Sequence, residues 1–221
     1  MMHSSRPQPS GSSRNAPALR NVFVRRVHQL LQLGYQRLSP AAQANEQEPS
    51  ITGFLAKAID EVLSDRAETW MAYFSVHDDP AVNDGRRKGK RRKRVDLRID
   101  SGRYRPRARY QFEAKRFSKR HSVKTYLGAN GLGCFLCGAY AREEDEAGML
   151  GYVQSGELET WGEKIRTELN ETPGSYAVDR ASPFSSHPML SSGSLKTYRS
   201  QHSRQTVGRT IVIMHTLLKF H

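Results

Sequence analysis

Arg94-Val95-Asp96-Leu97-Arg98-Ile99-Asp100 and, beyond the connection 101–108, Arg109-Tyr110-Gln111-Phe112-Glu113-Ala114-Lys115 decide how this chain folds. Val95, Leu97 and Ile99 alternate with charged neighbours, and Tyr110, Phe112 and Ala114 alternate with Gln111, Glu113 and Lys115. A period of two in β-branched and aromatic residues is the pattern of strands that each bury one face. Gly102 and Pro106 punctuate the connection as turn residues do, so the two strands form one antiparallel hairpin.

Pairing about the loop Ser101–Ala108 sets Asp96 opposite Glu113. Like charges facing each other across a strand pair destabilise it, by roughly 0.2–1 kcal/mol. A divalent cation reverses the sign of that interaction, because Mg²⁺ and similar hard ions take carboxylate oxygens. Lys115, two residues beyond Glu113, points to the same face and brings a compact positive charge beside the pair.

An Asp on one strand followed by Glu-x-Lys on the next resembles the active site of the PD-(D/E)XK, or restriction-endonuclease-like, nuclease superfamily. The resemblance implies an α/β fold with a restriction-endonuclease-like αβββαβ core, a mixed central sheet flanked by helices. It assigns Asp96 and Glu113 to metal binding, with Mg²⁺ or Mn²⁺ as cofactor, and Lys115 to positioning the attacking water. The superfamily's proline is missing, since Arg94 and Val95 precede Asp96. The activity implied is metal-dependent hydrolysis of phosphodiester bonds, of DNA before RNA, of the kind found in bacterial restriction and antiviral defence.

Charge points to the same class of partner. The 221 residues carry a net charge of +13, and eight of the nine residues from Arg86 to Arg94 are basic: Arg86, Arg87, Lys88, Lys90, Arg91, Arg92, Lys93 and Arg94. With Arg116 and Lys119 these form a candidate nucleic-acid contact surface. The same run suffices as a nuclear localisation signal or as a dock for an acidic regulatory protein, and a basic binding module without catalysis is the alternative reading. A homodimer is compatible with a palindromic substrate. No apolar run approaches the roughly 18 residues of a membrane span. Cys134 and Cys137 form one C-x-x-C with no second pair to complete a zinc site, and read as buried thiols in a reducing, cytoplasmic setting.

Around the hairpin the chain divides into a Ser-, Pro- and Arg-rich disordered leader over 1–20, an N-terminal helix and polar linker over 21–49, and a nuclease-like domain over 50–221 with a C-terminal elaboration. The leader is also acid-poor, as organellar transit peptides are. Ser50 caps a second helix, on which Glu61 sits at the edge of the buried stripe as an additional catalytic acid. A strand is expected over 69–77. Gly-Ala-Asn-Gly-Leu-Gly at 128–133 lacks the Gly-Lys-Ser/Thr ending of a phosphate loop and reads as small residues that allow close packing. Ser155 caps a helix carrying Leu158, Trp161, Ile165 and Leu169. Beyond it, Lys196, Tyr198, Ser200, His202 and Arg204 alternate onto one polar strand face, where His202 and Arg204 are candidates for phosphate or outer metal contacts, and Arg209–Phe220 forms a last hydrophobic strand with His215.

Overall fold

Positions 110–114 of the second hairpin strand are buried in succession, which requires a covering layer on each side of the sheet, and helices supply both. The computed structural model describes residues 16–82 and 92–221. The chain runs α1 (Ala16–Arg37), α2 (Glu48–Asp65), β1 (Phe74–Asp78), β2 (Leu97–Ser101), β3 (Ala108–Phe117), α3 (Val123–Leu127), α4 (Gly133–Leu136), β4 (Glu146–Val153), α5 (Leu158–Glu171), β5 (Ser185–Ser186), β6 (Leu195–Arg204) and β7 (Arg209–Lys219). The strands form one mixed sheet in the order β1-β2-β3-β4-β7-β6-β5. β3 with β4 and β4 with β7 are parallel, and the other neighbours are antiparallel. The protein is therefore α/β, and α2 to β4 follows the expected αβββαβ order with two short helices, α3 and α4, in place of the second helix.

Two apolar clusters lie on opposite faces. Phe112, Ala114, Leu150 and Tyr152 pack with α1 and α2, while Phe117, Met149 and Val153 pack with α3, α4 and α5. Even and odd positions of β3 and β4 thus serve different helix layers, as strand geometry demands. Gly148 permits this close approach, because a Cβ there would lie 2.2 Å from the Phe112 ring.

Several boundaries differ from the expectation. The first helix begins at Ala16, inside the expected leader, and Arg20 within it pairs with Glu146 at 2.9 Å. Residues 1–15 of that leader lie outside the described residues. The helix does not stand apart from the domain: Phe23, Val27, Leu30 and Leu31 are fully buried in the cluster over β2 and β3. Nor is the C-terminal portion appended, since β7 lies between β4 and β6. Residues 69–73 form a 3₁₀ turn rather than strand, with Trp70 and Met71 buried in succession where a strand would alternate. The fifth helix is capped at Glu157 instead of Ser155, whose carbonyl accepts from Trp161 Nε1 at 2.7 Å. Gly131 closes a turn: its added Cβ would lie 2.1 Å from the Tyr126 carbonyl oxygen, which accepts from Leu132 N. Cys134 is buried as expected, whereas Cys137 is exposed.

The polar face of β6 is the largest departure, because Ser200, His202 and Arg204 are buried. Their hydrogen bonds can be directed from one end. His202 Nδ1 donates to the Tyr176 carbonyl at 2.8 Å, so neutral His202 must accept at Nε2 from Ser200 Oγ at 2.6 Å. Ser200 Oγ then accepts from His215 Nε2 at 2.7 Å, and His215 Nδ1 accepts from the Tyr126 hydroxyl at 3.1 Å. Arg204 donates to the carbonyls of Ala141 and Glu144 at 2.7 and 2.9 Å, holding the approach to β4.

Burial holds these imidazoles neutral. It pushes His202 down to about 4 and His215 well below its ordinary value, and it pushes His28, on α1, down to about 3, with His187 adding repulsion. Unfolded, the same rings take up protons near 6.5, so between 6.5 and 4 the unfolded chain binds more protons. Stability present above pH 6.5 is lost as the pH falls through this window, by about 3 kcal/mol from His202. Denaturant unfolding at pH 7 and pH 4.5 checks this, and His202→Gln should have a smaller difference between the two pH values than the parent.

Candidate active site

Leu97 pairs with Phe112 and Arg98 with Gln111, a register that one further step carries to Asp96 opposite Glu113. At this end β2 bends away, and the Asp96 side chain takes over its pairing role: Oδ2 accepts from Ala114 N at 2.6 Å. Glu113 Oε1 accepts from Lys115 Nζ at 2.8 Å, whereas Glu113 Oε2 is buried without a partner. Lys115 Nζ also donates to Glu48 Oε1 at 3.0 Å and to the Ala114 carbonyl at 2.5 Å. The structure thus brings Asp96, Glu113 and Lys115 together, at the ends of β2 and β3.

The electrostatics follow from burial and proximity. Glu113 is pushed up to about 8, first by loss of water and then by the charge of Asp96, with Lys115 opposing. Asp96 is raised by burial, against the Ala114 N–H and the Lys115 charge. Lys115 loses hydration too, but the attraction of Glu113 and Glu48 outweighs that loss and raises it above its ordinary value. Its ammonium remains charged beside the carboxylates.

Glu48 is the acid that the sequence reading missed. The second helix begins two residues before Ser50, with Gln47 at the cap and Pro49 in the first turn, where its missing N–H costs nothing. Tyr152 on β4 fixes this start. Thr52 Oγ1 donates to the Glu48 carbonyl at 2.9 Å, so at 2.9 Å the Tyr152 hydroxyl donates to Thr52. Arg116 and Gln154 also hold the Glu46 carbonyl, at 3.2 and 2.9 Å. Glu61 does not reach the site. It is exposed, and at 1.5 Å per residue it lies about 20 Å along the helix from Glu48.

The remaining wall was not expected either. Tyr140 donates to the Arg94 carbonyl at 2.5 Å, and Lys93 Nζ lies 3.8 Å from Cys134 Sγ and 5.7 Å from the Tyr140 ring centroid. Ala81 forms an antiparallel bridge with Arg94, which fixes one end of the basic run beside Asp96. Arg86, Arg87, Lys88, Lys90 and Arg91 lie outside the described residues, while Arg92 and Lys93 are half-buried and Arg94 is exposed. Lys119 is exposed just past β3. His202 and Arg204 stand outside the site: β6 is three strands from β3, about 14 Å away, and both side chains bond within the protein.

For a hard cation the donors are the Asp96 and Glu113 carboxylates. The orphaned Glu113 Oε2, with a second carboxylate beside it, fits that role, because a cation would satisfy the buried oxygen and offset the repulsion. Among the described residues no group of three or more His, Cys, Asp and Glu side chains is arranged to hold a metal ion. None of the helices in these residues is long and apolar enough to cross a membrane. Comparison with protein-family models, with curated proteins and with solved structures gives no match.

Glu113→Gln tests the strain at this centre. Folded Glu113 binds its proton up to about pH 8 and unfolded Glu113 only to about 4.5, so the stability it contributes below 4.5 is lost as the pH rises through 8. The amide does not titrate, and the variant should gain on the parent across that window by roughly 1–3 kcal/mol, read from melting curves at pH 5 and pH 8.5. Tyr152→Phe should cost about 1 kcal/mol at either pH by releasing the Thr52 hydroxyl.

Proposed function

We propose that this protein is a metal-dependent nuclease that hydrolyses phosphodiester bonds, of DNA more readily than of RNA, with a centre resembling that of the PD-(D/E)XK superfamily. The observation that carries the proposal is the meeting of half-buried Asp96, one residue before β2, with buried Glu113 of β3, Lys115 being bonded to one of the two. A purely structural hairpin would gain from losing one of these acids, and their retention side by side is explained by a cationic ligand.

Asp96 and Glu113 would hold Mg²⁺ or Mn²⁺, which when bound supplies Lewis acidity and a more acidic water. The chain's own groups do the rest. Lys115 gives its three N–H donors to Glu113, Glu48 and the Ala114 carbonyl, so toward a nucleophilic water or a phosphoryl oxygen it would act through its fixed positive charge. Glu48 acts through Lys115, keeping its ammonium charged and oriented. Lys93, Arg94, Arg116 and Lys119 lie near enough to receive the substrate backbone, a contribution that weakens as salt rises.

A second reading is favoured because, among the described residues, no three His, Cys, Asp or Glu side chains are grouped to hold a metal ion: a basic module in which Lys115 already neutralises the carboxylates, binding nucleic acid with no need for metal. The two separate cleanly. Plasmid DNA, linear duplex DNA and single-stranded RNA should be incubated with the parent, Glu113→Ala and Lys115→Met, each with Mg²⁺, Mn²⁺ or EDTA. The nuclease reading expects metal-dependent cutting that falls about 10²–10³-fold in Lys115→Met and disappears in Glu113→Ala, with binding retained in both. Binding without cleavage by the parent under any condition supports the second reading.

A further inference from the structure

Beyond the end of β3, on the side where α5 packs, the surface opens into a cavity of about 850 Å³. Its floor is apolar, with Val123 and Trp161 buried at its base, and Trp161 is held by stacking on Phe117 at 4.6 Å and by its bond to Ser155. Its rim is cationic. Lys119, Arg120, Lys124 and Lys164 are exposed around it, and the first three have no carboxylate partner among the described residues. The two acids in the lining are engaged elsewhere, Glu163 with Arg166 and Glu168 with the Tyr176 hydroxyl at 2.9 Å. The cavity therefore presents uncompensated positive charge above an apolar base.

A ligand that matches has a flat apolar body and an anionic edge, and the volume falls within the usual range of about 300–1,000 Å³ for small-molecule pockets. A double helix is convex and keeps its bases stacked inside, so its backbone could touch the rim but would leave the floor empty. The position selects among anionic ligands. Ser118, just past the end of β3, follows Lys115 by three residues, about 10 Å, a span of a few nucleotides at most, since even in a stacked duplex each adds about 3.4 Å. Alternation along β3 also turns Glu113 and Lys115 toward the face on which Phe117 meets Trp161.

We propose that this cavity takes an unpaired nucleotide of the strand being cut, with the base over the Val123–Trp161 floor and its phosphate against Lys119, Arg120 and Lys124. The proposal rests on the nuclease reading and narrows its substrate to DNA with a frayed or single-stranded stretch a few nucleotides from the scissile bond.

The test is fluorescence anisotropy of the full chain in EDTA, with a labelled five-nucleotide single-stranded DNA bearing a 5′-phosphate and with a blunt duplex as the second probe. Thr160→Phe, at an exposed helix position on the cavity wall, fills the space without changing charge. It should weaken single-strand binding at least tenfold and leave duplex binding within about twofold. Lys119→Glu combined with Lys124→Glu should weaken both probes and reduce the single-strand salt slope by more than 1, each phosphate contact contributing about 0.7. Melting curves confirm that the variants fold. Unchanged single-strand binding by Thr160→Phe, equal losses for both probes, or no single-strand binding by the parent would overturn the proposal. Cleavage with Mg²⁺ is scored separately. A parent that cuts while Thr160→Phe binds normally refutes the cavity alone, and a parent that never cuts while Thr160→Phe blocks the strand refutes the nuclease reading alone.

Discussion

Two carboxylates opposed on adjacent strands repel, and in a buried setting water cannot relieve them. The surroundings of Asp96 and Glu113 are arranged to tolerate this pair. An amide of β3 bonds to one acid, an ammonium bonds to the other, and a third acid at the start of α2 keeps that ammonium in place. Each element therefore has a reason for its position: β2 must begin at Leu97, α2 must begin at Glu48, and β4 must carry Tyr152 beneath it. Even so, one oxygen of Glu113 has no partner. A buried polar atom left in this state lowers stability, and it lies near a concentration of positive charge.

The hairpin was legible because its information is local. Val95 to Ile99 and Tyr110 to Ala114 alternate cleanly, and the connection between them sets the register. Glu48 was not legible because its role depends on a contact across 67 residues, and in isolation it belongs to a polar stretch with nothing to bury. Ser50 offered a better cap by composition, yet Pro49 is preorganised for a first turn, and the Tyr152–Thr52 contact settles where that turn begins. Glu61 satisfied the helical-angle criterion, but angle alone ignores position along the axis.

Strand β6 illustrates the opposite error. Alternating polar residues are the usual mark of a solvated face, and Ser200, His202 and Arg204 fit that pattern. Phe184 packs over His215 from the loop before β6, and backbone carbonyls from distant turns accept the remaining protons. Apart from Arg204 Nε, which is buried without a partner, the donors and acceptors of these side chains bond within the protein, so a surface that reads as a binding face is a piece of core. Composition alone could not distinguish the two, because both require the same residue types and differ only in what covers them.

The bridge between Ala81 and Arg94 bears on how such a protein diversifies. Val82 N donates to the Lys93 carbonyl and Val95 N to the Pro80 carbonyl, so the chain entering and leaving the basic run is joined at its base. The entropy of closing an inserted segment grows only logarithmically with its length, about 0.6 kcal/mol for each doubling. Residues between the two ends can therefore be added, deleted or exchanged without moving Asp96 relative to Glu113. The periphery can change while the Asp96–Glu113–Lys115 cluster keeps its register, and a grafted loop is the corresponding route for engineering.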